Sequence, residues 1–423
     1  MLKVIYSLVW GLPLLGLMLG VGFYYTIILR GIQFRYLFPA LKMVFWDKPK
    51  KGRGDISPFA SLMTTLAATL GIGNIAGVAT AITVGGMGAI FWMWVTALIG
   101  MAVRYAESIL AVRYRTIDAK GEMCGGPMYY IGNQLKWNTL AAAFAFFGIG
   151  TALGGGNMLQ GNSVADVLDS MAGIPPWVSG LLVAFFIGLS VLGGIKSIGL
   201  VATYLVPFMS LFYLLSALFI LIIHAAAIPD VFQTIFSTAF QGQAAFGGYM
   251  GSTLLMTIQV GLSRGLMTSE AGLGTGSIAA AAAKTDYPAR QALISMTGCF
   301  LSTIVMCTIT ALVLGVTNVF GLSGTHGNLL TGASLTVTAF NTDIPWGGHL
   351  VMTSILFFAV TTILGYAYYG EKCVEYLFGL AFVPAWRLLF VFFVFLGAIL
   401  ELDIVWGFSD IFNGLMAFPN LLA

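Results

Sequence analysis

The chain has 423 residues, 59% of them hydrophobic and only 8% charged. A soluble protein carries about 25% charged residues, so the composition excludes a water-soluble globular protein and indicates a polytopic membrane protein. The net charge of +3 is too small to point to nucleic acid, and the four cysteines, Cys124, Cys299, Cys307 and Cys373, have no paired or metal-ligand spacing and are expected as free thiols.

Residues 4–29 form the first apolar run. It exceeds the apolar core of a signal peptide, ends in Tyr24-Tyr25 and lacks a small-residue cleavage site, so it is expected to be a retained helix. Arg30, Arg35, Lys42, Lys48, Lys50, Lys51 and Arg53 follow it and only Lys3 precedes it, which puts the N-terminus outside and this loop in the cytoplasm. Residues 31–45 alternate basic and bulky apolar side chains, as a helix lying along the membrane interface does.

Residues 58–84 are apolar and long enough to span, yet Gly71, Gly73 and Gly77 interrupt them, with Asn74 among them. Glycine is the poorest helix former after proline, so the helix is expected to break there. A break at mid-membrane leaves backbone N–H and C=O groups that lipid cannot satisfy, so it must face protein or a cavity. After a tight turn at 85–88, residues 90–113 return inward. Arg113, Arg115, Lys120 and Lys136 mark the next loop as cytoplasmic, and 121–130 is expected as a short structured reentry. The next segment, 139–168, carries Gly154, Gly155, Gly156, Asn157, Gln160 and Asn162, and 175–192 returns to Lys196. Residues 198–226 cross outward to a loop, 227–247, without Lys or Arg.

A second interrupted segment spans 248–283, with Gly261, Gly265, Gly272, Gly274 and Gly276 around Glu270. Residues 292–316 lead to a second basic-free outer loop, 321–341. Segments 346–369, 388–400 and 405–422 complete the chain, which ends inside. Eleven transmembrane helices result. All basic residues except Lys3, Arg104 and Arg264 fall at cytoplasmic ends or loops. The whole chain, 1–423, reads as a single membrane domain: an extra N-terminal helix (4–29), a first repeat (57–226) and an inverted second repeat (248–422), each set of five opening with a broken helix. Paired broken helices in two inverted halves are the sequence pointer to a secondary-transporter site.

Several side chains carry two readings. Gly71, Gly73 and Asn74 offer N–H groups and a helix dipole to an anionic carboxylate, or serve close helix packing. Gln160 and Asn162 are intramembrane amides, expensive unless paired, which either reach a substrate or bond a neighbouring helix. Thr361 and Thr362 offer hydroxyl oxygens to a hard cation, or bond their own backbone. Arg264 and Glu270 cannot pair on one ideal helix, so each is either a functional charge or a brace for the break. Arg104 and Glu107, three apart, read as a local pair or a snorkelling side chain near the cytoplasm. His224, His326 and His349 form no metal pattern and receive no role. An intramembrane enzyme would need a nucleophile–base set or a metal motif, and neither is found. A channel would favour charged rings or a carbonyl filter in an oligomer.

The stretches GGMGAIFWMWVTALIGMAVRYAE (85–107), GIGNIAGVATAI (71–82), GEMCGGPMYYI (121–131), RGLMTSEAGLG (264–274) and YYGEKC (368–373) resemble the alanine or glycine:cation symporter family, and the resemblance runs in matching order over nearly the whole chain. The chain departs from the family at Met87, Gln259, Met267 and Tyr366. The resemblance implies an all-α leucine-transporter-type fold with one extra N-terminal helix, in the plasma (inner) membrane of a prokaryote. It implies sodium-coupled symport of alanine, glycine or a similar small neutral amino acid. The alternatives are a larger neutral amino acid such as glutamine, or protons as the driving ion. It places Gly71, Gly73, Asn74, Gln160, Met267, Ser269 and Tyr366 at the substrate. It places the carbonyls of Ala67, Leu70 and Phe358, with the hydroxyls of Thr361 and Thr362, at sodium.

Overall fold

A computed structural model describes residues 9–46, 52–241, 253–322 and 329–423. His326 and part of each expected outer loop lie outside the described residues. Among the described residues the regular structure is helical apart from one two-stranded hairpin and two isolated bridges. Among the described residues, six helices are long and apolar enough to cross a bilayer: Ala89–Arg113, Asn138–Asp169, Gly194–Ile223, Pro288–Thr317, Gly347–Phe378 and Leu380–Ile399.

The first helix, α1 (Leu12–Ile28), and α2 (Ile32–Phe45) meet at 77°. The corner is made by Arg30 and Gly31, both at positive φ. The second helix then exposes Phe34, Phe38 and Phe45, and Trp46 just past its end.

The broken helix is α3 (Pro58–Thr69), one 3₁₀ turn (Ile72–Asn74) and α4 (Ala76–Gly85). Ser57 caps α3, its Oγ accepting from Ala60 N at 3.0 Å, and Pro58 suits the first helical position. Every residue from 60 to 72 is buried. Buried threonines keep their hydroxyls satisfied by donating back one turn: Thr64 to Ala60 O, Thr65 to Ser61 O and Thr69 to Thr65 O, at 2.8, 3.1 and 3.0 Å.

Helix α5 (Ala89–Arg113) leads into strands β1 (Thr116–Ile117) and β2 (Met123–Cys124) and the short α6 (Pro127–Asn133), so that 121–130 is structured rather than an open linker. Helices α7 (Asn138–Leu153) and α8 (Leu159–Ala172) are one continuous rod with a π turn, Gly154–Met158, between them. Next come α9 (Pro176–Val191) and α10 (Gly194–Ile223). Leu200, Tyr204, Phe208, Leu211, Leu215, Phe219 and Ile222 form an exposed apolar stripe on α10 at helical spacing, the face a bilayer covers.

Both stretches expected as outer loops contain a helix: α11 (Ile228–Thr238) and, later, α16 (Gly332–Asp343). Lack of Lys and Arg indicates which side a segment lies on, not whether it folds. Each helix is held by an apolar face, Val231 and Ile235 in one, Leu335, Ala339 and Phe340 in the other.

The second broken helix is α12 (Leu254–Ser269) and α13 (Thr275–Ala281), joined by 270–274. Residues 268–283 are all buried. Helices α14 (Pro288–Cys299) and α15 (Thr308–Thr317) flank a second π segment, Phe300–Cys307. The long α17 (Gly347–Phe378), α18 (Val383–Ile399) and α19 (Leu402–Leu422) complete the bundle. The start of the first broken helix and the end of the second are tied together. Ile56 bridges Ala283, and Arg115 donates to the carbonyls of Ala281, Ala283 and Arg53 at 2.8, 2.8 and 2.7 Å, capping the end of α13.

Candidate functional site

The two breaks face each other across a cavity of about 60 Å³. Its wall includes Gly71, Gly73 and Gly77 from the first break, and Arg264, Met267, Thr268, Glu270 and Leu273 from the second. Gly155 and Gln160 come from the first π turn and its rod, Thr362 and Tyr366 from α17, and Trp406, Ser409 and Asn413 from α19.

The first break is built around Asn74. Its Oδ1 accepts from Gly71 N at 3.2 Å, and its Nδ2 donates to Ser302 O at 3.0 Å. The amide thus braces the turn against the second π segment and does not line the cavity. The N–H groups of Ile72 and Gly73 have no hydrogen bond among the described residues. They lie at the N-terminal end of α4, where the helix dipole favours negative charge. Opposite them, Gln160 donates to Gly155 O at 3.0 Å and keeps its buried Oε1 unpartnered. A Cβ on Gly71 would lie 3.6 Å from that oxygen. Gly73 and Gln160 both line the cavity, which therefore offers a free donor on one wall and a free acceptor on the other, the pattern that receives a carboxylate and an ammonium. Asn162 is spent elsewhere, donating to Gly397 O and Leu400 O at 3.0 and 2.7 Å.

Beside this wall lies an oxygen-rich seam between α3 and α17. Thr362 Oγ1 donates to Ala67 O at 3.1 Å, and the same hydroxyl lies 2.8 Å from where a Cβ on Gly71 would sit. Thr361 Oγ1 is 3.0 Å from both Phe357 O and Phe358 O. Leu70 ends α3. The last carbonyls of a helix lack intrahelical donors and sit at the negative end of its dipole, so this seam could hold a small hard cation. The close approach depends on Gly365, where a Cβ would stand 2.8 Å from that of Ala68.

The second break is held differently. Glu270 has φ +50°, a left-handed conformation costly for a residue with a side chain, and Gly272 and Gly274 follow at +90° and +79°. Glu270 is buried and accepts from Tyr366 Oη at 2.6 Å and Thr275 Oγ1 at 2.8 Å, with the Arg104 guanidinium 3.7 Å away. Arg104 is only 1% exposed and donates to Ser269 O at 3.0 Å, so it does not snorkel. The expected local pair with Glu107 is loose at 4.0 Å, because the guanidinium turns across to the break. Ser269 Oγ accepts from Ala271 N at 3.3 Å and lies outside the cavity wall. Arg264 does not meet Glu270. Its guanidinium stacks on Trp406 at 4.8 Å, and both residues also border a larger neighbouring cavity of about 420 Å³. The partners of Arg104, 165 residues or more along the chain, and the two π segments gave no signal in the sequence pattern.

All four cysteines are free and buried. Near the hairpin, Asp118, Cys124 and Glu375 have metal-ligand proximity. Lys372 stands among them instead, 2.8 Å from Glu375, 3.3 Å from Cys124 Sγ and 3.8 Å from Asp118 and from Glu122. Its ammonium makes this an ion-pair cluster near the C-terminal end of α17. His224 pairs with Asp343 at 3.0 Å.

The profile of the sodium:alanine symporter family matches residues 1–423. The sodium/alanine symporter AgcS of Methanococcus maripaludis is 50% identical over 421 residues, 98% of this chain and 92% of that one. An uncharacterized transporter of Haemophilus influenzae is 48% identical over 427 residues, 100% of this chain and 92% of its own. Among solved structures, MhsT in complex with L-phenylalanine superimposes with a TM-score of 0.64 at 15% identity, covering 87% of this chain and 89% of that one, a likeness of fold alone.

Proposed function

The chain belongs to the sodium:alanine symporter family, a family of membrane transporters, and we propose that it carries alanine or glycine into the cell together with sodium by alternating access. The observation that carries the substrate class is the cavity between the breaks. At about 60 Å³ it is smaller than the roughly 150 Å³ cavity that admits benzene, which favours the smallest amino acids over glutamine. The substrate carboxylate meets the N–H groups of Ile72 and Gly73. The ammonium meets Gln160 Oε1, and a short side chain packs on Met267 and Tyr366. Asn74 and Ser269 shape the two breaks without touching the substrate.

Sodium sits in the seam, held by the carbonyls of Ala67, Leu70 and Phe358 and the hydroxyls of Thr361 and Thr362. A hydroxyl hydrogen is free to rotate, so Thr362 Oγ1, now donating to Ala67 O, can turn a lone pair to the ion. Gly71 and Thr362 border both places, so filling one shapes the other. In this reading the chain spans the membrane eleven times as one helix plus two inverted sets of five. The N-terminus is outside and the C-terminus inside, in a prokaryotic plasma membrane.

The test is uptake by the purified chain in proteoliposomes, with alanine, glycine or glutamine outside and a sodium or a proton gradient imposed. Concentrative uptake of alanine and glycine driven by sodium, with little glutamine, is expected. Uptake that ignores sodium, or that prefers glutamine, overturns the proposal.

A further inference from the structure

Behind the second break lies a group of charges that the transport reading leaves unused. Arg104, Glu107 and Glu270 are 1%, 4% and 1% exposed. One guanidinium faces two carboxyls, so with all three ionised the group carries a net negative charge inside the protein. A buried charge without a counter-charge costs several kcal/mol, and intramembrane ionisable groups are retained for function.

The two carboxyls are bonded unequally. Both Glu270 oxygens are engaged, by Tyr366 and by Thr275. On Glu107 every donor converges on Oε1: Gly272 N at 2.9 Å, Gly274 N at 3.2 Å and Asn420 Nδ2 at 2.6 Å. Glu107 Oε2 is buried and has no hydrogen-bond partner among the described residues, and the Arg104 Nη1 facing it at 4.0 Å is equally unpartnered. Glu107 also lines a second cavity, about 250 Å³, walled by Tyr24, Tyr25, Tyr130, Asn420 and neighbouring apolar residues. That cavity borders the half of α5 that runs to Arg113. Glu270 lines the central cavity, so the three charges stand between the two.

The other titratable groups around Glu107 are Tyr24 and Tyr25 on α1, Tyr130 on α6 and Cys299 on α14, with Tyr366 and Tyr369 reaching the group from α17. None of them supplies a second positive charge.

We propose that Glu107 is a proton-binding site: in this structure it carries one proton on Oε2, exchanged with water through the 250 Å³ cavity. A hydronium in the cavity gives its proton to Oε2 and leaves as water; no other bond changes. The neutral carboxyl keeps Oε1 as acceptor for Gly272 and Gly274, and Arg104 is left balanced by Glu270 alone. Glu270, the remaining counter-charge of Arg104, lines the central cavity with Tyr366, so substrate in that cavity and the proton on Glu107 act on the same guanidinium, and alanine binding is expected to favour the protonated form. The consequence for substrate rests on the transport reading. The presence of the proton does not.

The test is alanine binding by the purified full chain at saturating sodium across the neutral and mildly alkaline range. An indicator dye in weak buffer follows proton uptake. Wild-type affinity is expected to fall as pH rises, by up to about tenfold per pH unit, the limit for one linked proton. Up to one proton should be taken up per alanine bound at the alkaline end. Glu107→Gln, a permanently neutral carboxamide with an acceptor still in place, should bind tightly at every pH without proton uptake. A pH-independent wild type without proton uptake overturns the proposal, and so does a Gln variant that titrates like the wild type. If the Gln variant does not bind at all, Glu107→Asp decides: a displaced midpoint supports the site and an unmoved one refutes it. If wild type binds no alanine at any pH, the transport reading fails separately. Infrared difference spectra then decide, since a protonated-carboxyl C=O band that Glu107→Gln does not remove sinks the proton site.

Discussion

Thr362→Ala is the sharpest probe of the seam between α3 and α17. The Thr362 hydroxyl is buried and 3.1 Å from Ala67 O, a carbonyl near the end of α3. Alanine removes one candidate ligand oxygen. An oxygen contact to an ion is comparable to a hydrogen bond to a charged group, about 1.5–3 kcal/mol. Carried into sodium binding, that is a rise of about 10- to 150-fold in the sodium concentration for half-maximal binding. Because binding free energies are reciprocal, substrate affinity should drop at low sodium and recover at high sodium. Thr362→Ser keeps the oxygen and should stay close to wild type. Thr361→Ala should shift the sodium curve less, because that hydroxyl is already 3.0 Å from two carbonyls of its own helix. The assay is alanine binding titrated against sodium in wild type and the three variants. Superimposable curves refute the placement, as does equal support of binding by lithium, potassium and choline.

Gly71 and Gly73 should respond differently to the same added methyl. A Cβ at Gly71 meets Thr362 Oγ1 at 2.8 Å, so Gly71→Ala should abolish sodium-dependent binding; at Gly73 the nearest atom is Thr268 Cγ2 at 3.6 Å, so Gly73→Ala should bind and Gly73→Leu, which fills the cavity, should not. Equal binding by Gly71→Ala and Gly73→Ala in a direct binding assay would contradict this geometry. Single cysteines placed at exposed positions of α11 and α16 should react with an impermeant maleimide added outside whole cells; labelling only from the cytoplasmic side reverses the topology. Burial pushes the Cys124 thiol up to about 12 despite the pull of Lys372, so it is neutral at physiological pH and should resist maleimide until the protein is denatured. Rapid labelling of Cys124 in the folded protein would show that the hairpin does not hold this thiol closed.

What was legible in the sequence is what lipid dictates one residue at a time. Gly71, Gly73, Gly272 and Gly274 cannot sit in an apolar run without weakening the helix, so both breaks were visible. Gln160 stood out because an amide in a membrane span needs a partner. The roles inside the breaks were not legible in the same way. Asn74 looked like a cavity residue, and its actual partner, Ser302, lies 228 residues away on a π segment that no local propensity announces. Arg104 was the harder case. Helical spacing offers only one neighbour, Glu107, and so a local pair, whereas the folded chain places Glu270, 166 residues away, at 3.7 Å. A pair read from spacing is electrically closed. One guanidinium between two buried carboxyls is not, and its imbalance emerges only once the second break is folded against α5. Neutralising it by substitution would have been simple: a glutamine at position 107 keeps an acceptor for Gly272 and Gly274 and removes the extra charge. Position 107 holds glutamate instead, so the charge itself needs an explanation, and a titrating oxygen beside a cavity supplies one that an amide could not.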